Sequence, residues 1–169
     1  WGENYLNFMT DDAFWNTLQV SLTYAFFAVT AQLLLGLGIA LLLQKRSMFN
    51  NFVSIMLLMP LMTAPALAAL MWKLMTNPGF GILSYLASLI GLEDFRWASD
   101  PQTAMLTVVI VDIWVYTPFI MILLLAGLRS LPQQPFEAAA LDGVPRLFVF
   151  WRITLPMLTP FLLTATLFR

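Results

Sequence analysis

The side chains able to do chemistry are few and widely spaced. Asp112 is the one carboxylate inside a complete apolar run, and Tyr116 and Phe119 follow it at about one and two helical turns. On a helix this spacing lines a carboxylate and two rings along one face. Sugar sites combine hydrogen-bonding groups with aromatic faces, so this face is a candidate translocation path. The other reading is a structural Asp bonded to a neighbouring helix, since a charge within the bilayer costs several kcal/mol and must face protein or water. Gln32, Thr30 and Thr23 lie in the first apolar run. Each can hydrogen-bond between helices for about 1 kcal/mol with no role in transport. Arg169 lies deep in the membrane if its helix continues, as a functional residue or as a consequence of where the chain stops.

Whole classes of chemistry are excluded by what is missing. The sequence has no histidine and no cysteine, so zinc sites built on them, His bases and Ser-His-Asp triads are ruled out. A lone Asp112 without a second nearby acid argues against an intramembrane enzyme. No GxxxxGK[ST] loop is present, so this chain does not itself hydrolyse ATP. The net charge of −1 argues against a nucleic-acid partner, which would require a basic patch.

A second constellation lies in LRSLPQQPFEAAALDGVPRLFVFWRITLPMLTP, from Leu128 to Pro160. Pro135 has its φ preset for a first helical position. Glu137 then falls in the first turn, where the helix dipole favours a negative charge. Ala138, Ala139, Ala140 and Leu141 are strong helix formers. Gly143 ends the helix as a residue free to take positive φ. Pro145 starts a second helix with Phe148 and Trp151 on one face, and Asp142 and Arg146 are spaced for a modest pair. Pro156 marks entry into the membrane. The spacing predicts a helix–turn–helix over about 135–151 outside the bilayer.

The elements that position these residues follow from hydropathy. Hydrophobic residues make up 60% of the 169 and charged ones only 10%, with mean hydropathy +0.83. Soluble domains carry about 25% charged residues, so the bilayer is the expected solvent. A crossing needs about 20 apolar residues. Spans are expected over about 16–43, 52–74 and 103–127, with an incomplete fourth over 155–169. Trp1 is not Met and Arg169 falls inside an apolar run, so the chain is read as a piece of a longer protein, truncated at both ends. All of it forms one membrane domain, an all-α polytopic helix bundle.

Lys and Arg concentrate in cytoplasmic loops. Lys45 and Arg46 follow the first span, and Arg129, Arg146 and Arg152 follow the third. The N-terminal tail has Glu3, Asp11 and Asp12 with no cation, and the loop between spans two and three mixes Lys73 and Arg96 with Glu93, Asp94 and Asp100. The tail and that loop therefore face outside. Pro60 and Pro65 predict a bent or locally opened second span, as a packing kink or as a pathway-lining break. In the outer loop, Ile82, Leu86, Leu89 and Ile90 share one helical face and are expected at the interface. Trp1, Trp72 and Trp97 fit an aromatic belt. Met56, Met59, Met62, Met71 and Met75 are read as flexible packing.

The pattern Glu137-Ala138-Ala139, three residues, Gly143, nine residues, Ile153, one residue, Leu155-Pro156 resembles the EAA loop of permeases of binding-protein-dependent ABC importers. Pro60, WKLMTNPGFG from Trp72 to Gly81, and DIWVYTPFIMILLLAGLRSLP from Asp112 to Pro132 resemble the carbohydrate branch. The sequence departs after span one, where that branch often has an arginine and this chain reads Phe49-Asn50-Asn51.

The resemblance implies a non-enzymatic permease for a sugar or sugar-like solute, working by alternating access. Glu137, Ala138, Ala139, Asp142, Gly143, Ile153, Leu155 and Pro156 would couple it to an ATPase. It also implies partners: a cytoplasmic ATPase dimer that uses ATP and Mg, a second permease subunit of different sequence, and an external solute-binding protein. The chain itself would bind no cofactor or metal. The implied location is a bacterial or archaeal plasma membrane. The alternative is an ion-gradient-driven transporter using Asp112, which predicts a pseudo-symmetric repeat with paired broken segments.

Overall fold

The computed structural model describes residues 10–92 and 95–169. Trp1 and Glu3 of the tail, and Glu93 and Asp94 of the outer loop, lie outside the described residues. Every regular element among those described is helical.

Helix α1 runs Asp12–Leu43. Asp11 caps it, its carboxylate accepting from the Ala13 N–H at 2.9 Å, and Asp12 adds a negative charge in the first turn, where the helix dipole favours it. Its buried residues are Ala28, Gln32, Gly36, Ala40 and Leu43, a stripe spaced by three and four that is narrow because most of its members are small. Such a stripe lets two backbones approach closely where no hydrophobic force drives helices together. The opposing helix, α6 (Pro101–Ser130), buries Ile120, Met121 and Leu124 completely against it, together with Leu158 of the last helix. Gly36 is where the approach is tightest: a Cβ there would lie 2.7 Å from Ile120 Cγ2 and 3.2 Å from the Met121 backbone N. Gly36→Val is therefore expected to lower stability by about 1–3 kcal/mol through overpacking. Gly38→Ala, whose Cβ meets nothing within 4 Å, should hold or raise the thermal midpoint in detergent, since alanine is the better helix former.

The second apolar stretch is divided. It forms α2 (Met48–Leu57), α3 (Met59–Met62) and α4 (Pro65–Met75), where the sequence predicts one bent or opened helix over 52–74. Two breaks separate the pieces. Thr63 and Ala64 are extended, with ψ of 134° and 132°, and for Ala64 the cause is the Pro65 ring, which pushes its predecessor out of the α region. Trp72 of α4 packs edge-on against Trp114 of α6, centroids 5.8 Å apart. Met56, Met59, Met62 and Met71 stay exposed rather than filling the interior of this chain. Helix α5 (Ile82–Leu89) buries Ala87 and leaves Ile82, Leu86 and Leu89 uncovered, and a short 3-10 turn at Trp97–Ser99 leads into α6.

After α6 come α7 (Gln134–Leu141) and α8 (Arg146–Val149). A π-helical segment, Phe150–Thr154, then passes without interruption into α9 (Leu155–Leu167). The second helix expected to end near 151 is therefore not a separate element. The helix that begins at Arg146 is the one that continues to Leu167. Pro156 lacks the N–H that would bond the Arg152 carbonyl, and its ring crowds that carbonyl. A widened turn accommodates the proline without ending the helix, with Leu155 N–H reaching back to Phe150 O.

Candidate functional site: a membrane-end knuckle and a buried polar cluster

The knuckle is built on Gly143. Helix α7 has Pro135 in its first turn with Glu137 beside it, so the missing N–H falls where none is needed and the carboxylate faces the positive end of the helix. At its other end Asp142 is the C-cap. Gly143 N–H bonds Ala140 O at 3.2 Å, and Val144 N–H bonds Ala139 O at 3.0 Å. This bond pair is a Schellman closure, which requires a left-handed residue between helix and exit. Gly143 supplies it with φ of +65°. The chain then turns through Pro145, the N-cap of α8.

The surface this turn presents is apolar and uncovered. Leu141 is 90% exposed and Leu147 71%, with Phe148 and Trp151 also exposed. Glu137, Ala138 and Asp142 are exposed, Ala139 is buried, Ile153 and Leu155 are half-buried, and Pro156 is exposed. Asp142 and Arg146 form no ion pair, because the turn at Gly143 places them on different helices rather than one turn apart. The end of α6 that leads into the knuckle is tied to α1 and α2. Arg129 near its end donates to Leu43 O at 2.9 Å and Gln44 O at 3.4 Å, capping the last carbonyls of α1 with a cation, as the dipole favours. Its third acceptor is Asn51 Oδ1 at 3.4 Å, within the Phe49-Asn50-Asn51 stretch where the resembling branch often has an arginine of its own.

The second site joins three helices. Gln32 Nε2 of α1 donates to Asp112 Oδ2 of α6 at 2.7 Å, and Arg169, just beyond α9, donates from Nε to Gln32 Oε1 at 2.9 Å. Arg169 Nη2 forms an ion pair with Asp112 Oδ2, and its guanidinium sits 3.8 Å above the Tyr116 ring centroid. The side chains of Asp112 and Arg169 are only 12% and 15% exposed. Phe119 meets Phe168 edge-on at 6.4 Å. The carboxylate and two rings read from the sequence do share one face, and that face is met by Phe168 and Arg169.

Beside this cluster lies a cavity of 630 Å³ between α1, α4 and α6, with Tyr24, Trp72, Lys73, Asn77, Asp112 and Tyr116 in its wall. Phe119 lies outside it. The sequence marked Gln32 and Arg169 individually but did not join them to Asp112. The available signal was that Asp112 and Arg169 are opposite charges, each alone in an apolar run, and such charges seek one another. Trp72 lines the cavity, where the sequence placed it in an interfacial belt.

Residues 32–169 match the family described as binding-protein-dependent transport system inner membrane component. The chain is 35% identical to the trehalose/maltose transport system permease protein MalF of Thermococcus litoralis, over 98% of its own length and 56% of the relative's. It is 33% identical to the sn-glycerol-3-phosphate transport system permease protein UgpA of Escherichia coli, over 92% of its length and 52% of that protein's. Among solved structures, it matches a bacterial ABC transporter involved in the import of the acidic polysaccharide alginate. There the TM-score is 0.83 at 20% identity, covering 96% of this chain and 57% of that one. The chain thus spans about half the length of the curated relatives it matches.

Proposed function

The chain belongs to the family of inner membrane components of binding-protein-dependent transport systems, and on that premise we propose that it walls the path of an ATP-driven importer for a sugar or sugar-like solute. The observation that carries the proposal is the knuckle. Helix α7 is closed by a left-handed glycine and leads into a helix that runs without a break from Arg146 to Leu167. A push on its exposed apolar surface therefore acts directly on a membrane helix, as a rigid-body coupling element requires.

In this reading Lys45, Arg46, Arg129, Arg146 and Arg152 mark the cytoplasmic end, following the bias of cations toward that side. Glu137 makes charge-assisted hydrogen bonds to a cytoplasmic ATPase dimer, which binds and hydrolyses ATP with Mg. Ala138, Ala139, Asp142, Gly143, Ile153, Leu155 and Pro156 shape the coupling element. A second permease subunit of different sequence completes the path, and an external solute-binding protein delivers the solute. The membrane is a bacterial or archaeal plasma membrane. The cavity beside Asp112 and Tyr116 supplies hydrogen-bonding groups and ring faces for a polyhydroxyl solute to contact in passage.

The test is uptake by the full-length permease reconstituted with its partner subunits. Uptake should require ATP and the binding protein, and should persist when ionophores collapse the ion gradients. Gradient-driven uptake without the ATPase would overturn the reading and favour an ion-coupled carrier using Asp112.

A further inference from the structure

We propose that the end of the bundle bearing Lys45 and Arg46 holds an acidic phospholipid, its phosphate among the cations and an acyl chain along α6. Four cations, Lys45, Arg46, Arg129 and Arg146, line one cavity of 730 Å³, and no carboxylate shares its wall. Loops of this sign are common at cytoplasmic ends, but here residues from three separate parts of the chain converge on one space. Arg129 donates only to neutral oxygens, those of Leu43, Gln44 and Asn51. Among the described residues the ion pair of the chain is Asp112 with Arg169, so the positive charge of this cavity is not offset within them.

A second cavity, of 530 Å³, shares Arg46 and Arg129 with the first. Its wall is apolar where it follows the helices, with Ile55 and Leu58 on one side and Ile122 and Leu125 on the other. Ile122 lies seven residues before Arg129, about 10 Å along the helix axis. Cations at the mouth and an aliphatic groove leading away from them fit a headgroup and the first part of a chain. A free phosphate would use the cations and leave the groove without purpose. Basic pockets between membrane helices recognise acidic headgroups in this way.

The proposal rests on the assignment of this end to the cytoplasmic membrane surface. That assignment has its own test. These 169 residues contain no cysteine, and in a full-length chain with any cysteine elsewhere replaced by serine, Ser47→Cys provides a unique label site. It should react with a membrane-impermeant maleimide only after cells are opened. Labelling in intact cells would overturn the orientation and leave the lipid measurement to be judged separately.

For the lipid itself, the assembled importer carrying the full-length chain is placed in nanodiscs of phosphatidylcholine with or without phosphatidylglycerol, and retained lipid is counted by native mass spectrometry. Phosphatidylglycerol should be retained in preference to phosphatidylcholine. Lys45→Gln with Arg46→Gln should weaken that retention on the order of tenfold, and Lys45→Arg with Arg46→Lys should keep it. Millimolar inorganic phosphate or glycerol phosphate should not displace the lipid. Equal retention of the two lipids, or unchanged retention in the glutamine variant, would overturn the proposal; displacement by free phosphate would show a soluble-anion site instead. If the glutamine variant does not assemble, the comparison of the two lipids on the unaltered protein and on the charge-conserving variant decides.

Discussion

Arg169→Leu should destabilise the protein by about 3 kcal/mol or more, since removing one member of a buried ion pair leaves the other without its counter-charge. Asp112 is 12% exposed and would keep Gln32 as its hydrogen-bond donor at 2.7 Å. One neutral amide does not replace a guanidinium in a setting where a lone carboxylate costs roughly 2.5–3.5 kcal/mol. The loss extends beyond the charge: the Tyr116 face loses its cation and Gln32 Oε1 loses its donor. The double change Asp112→Asn with Arg169→Gln should restore most of the stability, because two neutral hydrogen-bonding groups leave no orphan charge. The readout is the midpoint of thermal unfolding in detergent or bilayer. An unchanged midpoint in Arg169→Leu would mean that water bathes Asp112 and that the pair does not hold α1, α6 and the end of α9 together.

The second large effect is functional rather than global. On the proposed function, Gly143→Val should reduce ATP-driven uptake by the full-length permease more than tenfold while lowering stability by only about 1–2 kcal/mol, the usual cost of one left-handed L-residue. A Cβ at Gly143 meets nothing within 4 Å, so bulk is not the obstacle. The obstacle is φ of +65°, which a β-branched residue adopts only as an outlier. Relieving that strain reopens the Schellman closure and swings α7 away from α8, and the partner then meets a misplaced knuckle. Gly143→Asn supplies the control, because Asn tolerates the left-handed region. It should retain most of the uptake and most of the capture of the ATPase subunit. Equal failure of Val and Asn would point to a requirement for the bare backbone at the partner surface, and would sink the conformational explanation.

Local signals in the chain were legible where a single residue type dictates backbone geometry. Gly143 was read as a left-handed stop and takes that conformation. Pro60 and Pro65 were read as opening the second apolar stretch, and the extended Thr63 and Ala64 stand immediately before Pro65. Pro156 was read as the point of entry into the membrane, and the helix runs through it without a break. Its effect is absorbed by the π turn over Phe150–Thr154, and whether a proline ends a helix or widens it depends on what packs around it. Here Thr154 and Leu158 are buried, and that packing holds the helix on its course.

By itself, the sequence determined the all-helical membrane architecture, the place and hand of the turn at Gly143, and the face that Asp112, Tyr116 and Phe119 share. These follow from hydropathy, φ preferences and helical period, which act over a few residues. Only the tertiary structure decided what that face meets. Gln32 is 80 residues from Asp112 and Arg169 is 57, and no local rule selects among possible partners at such separations. The selection is made by the close approach at Gly36 and by the path of the helix from Arg146 to Leu167, which together bring two lone charges into contact. Burial then makes each the other's necessary partner.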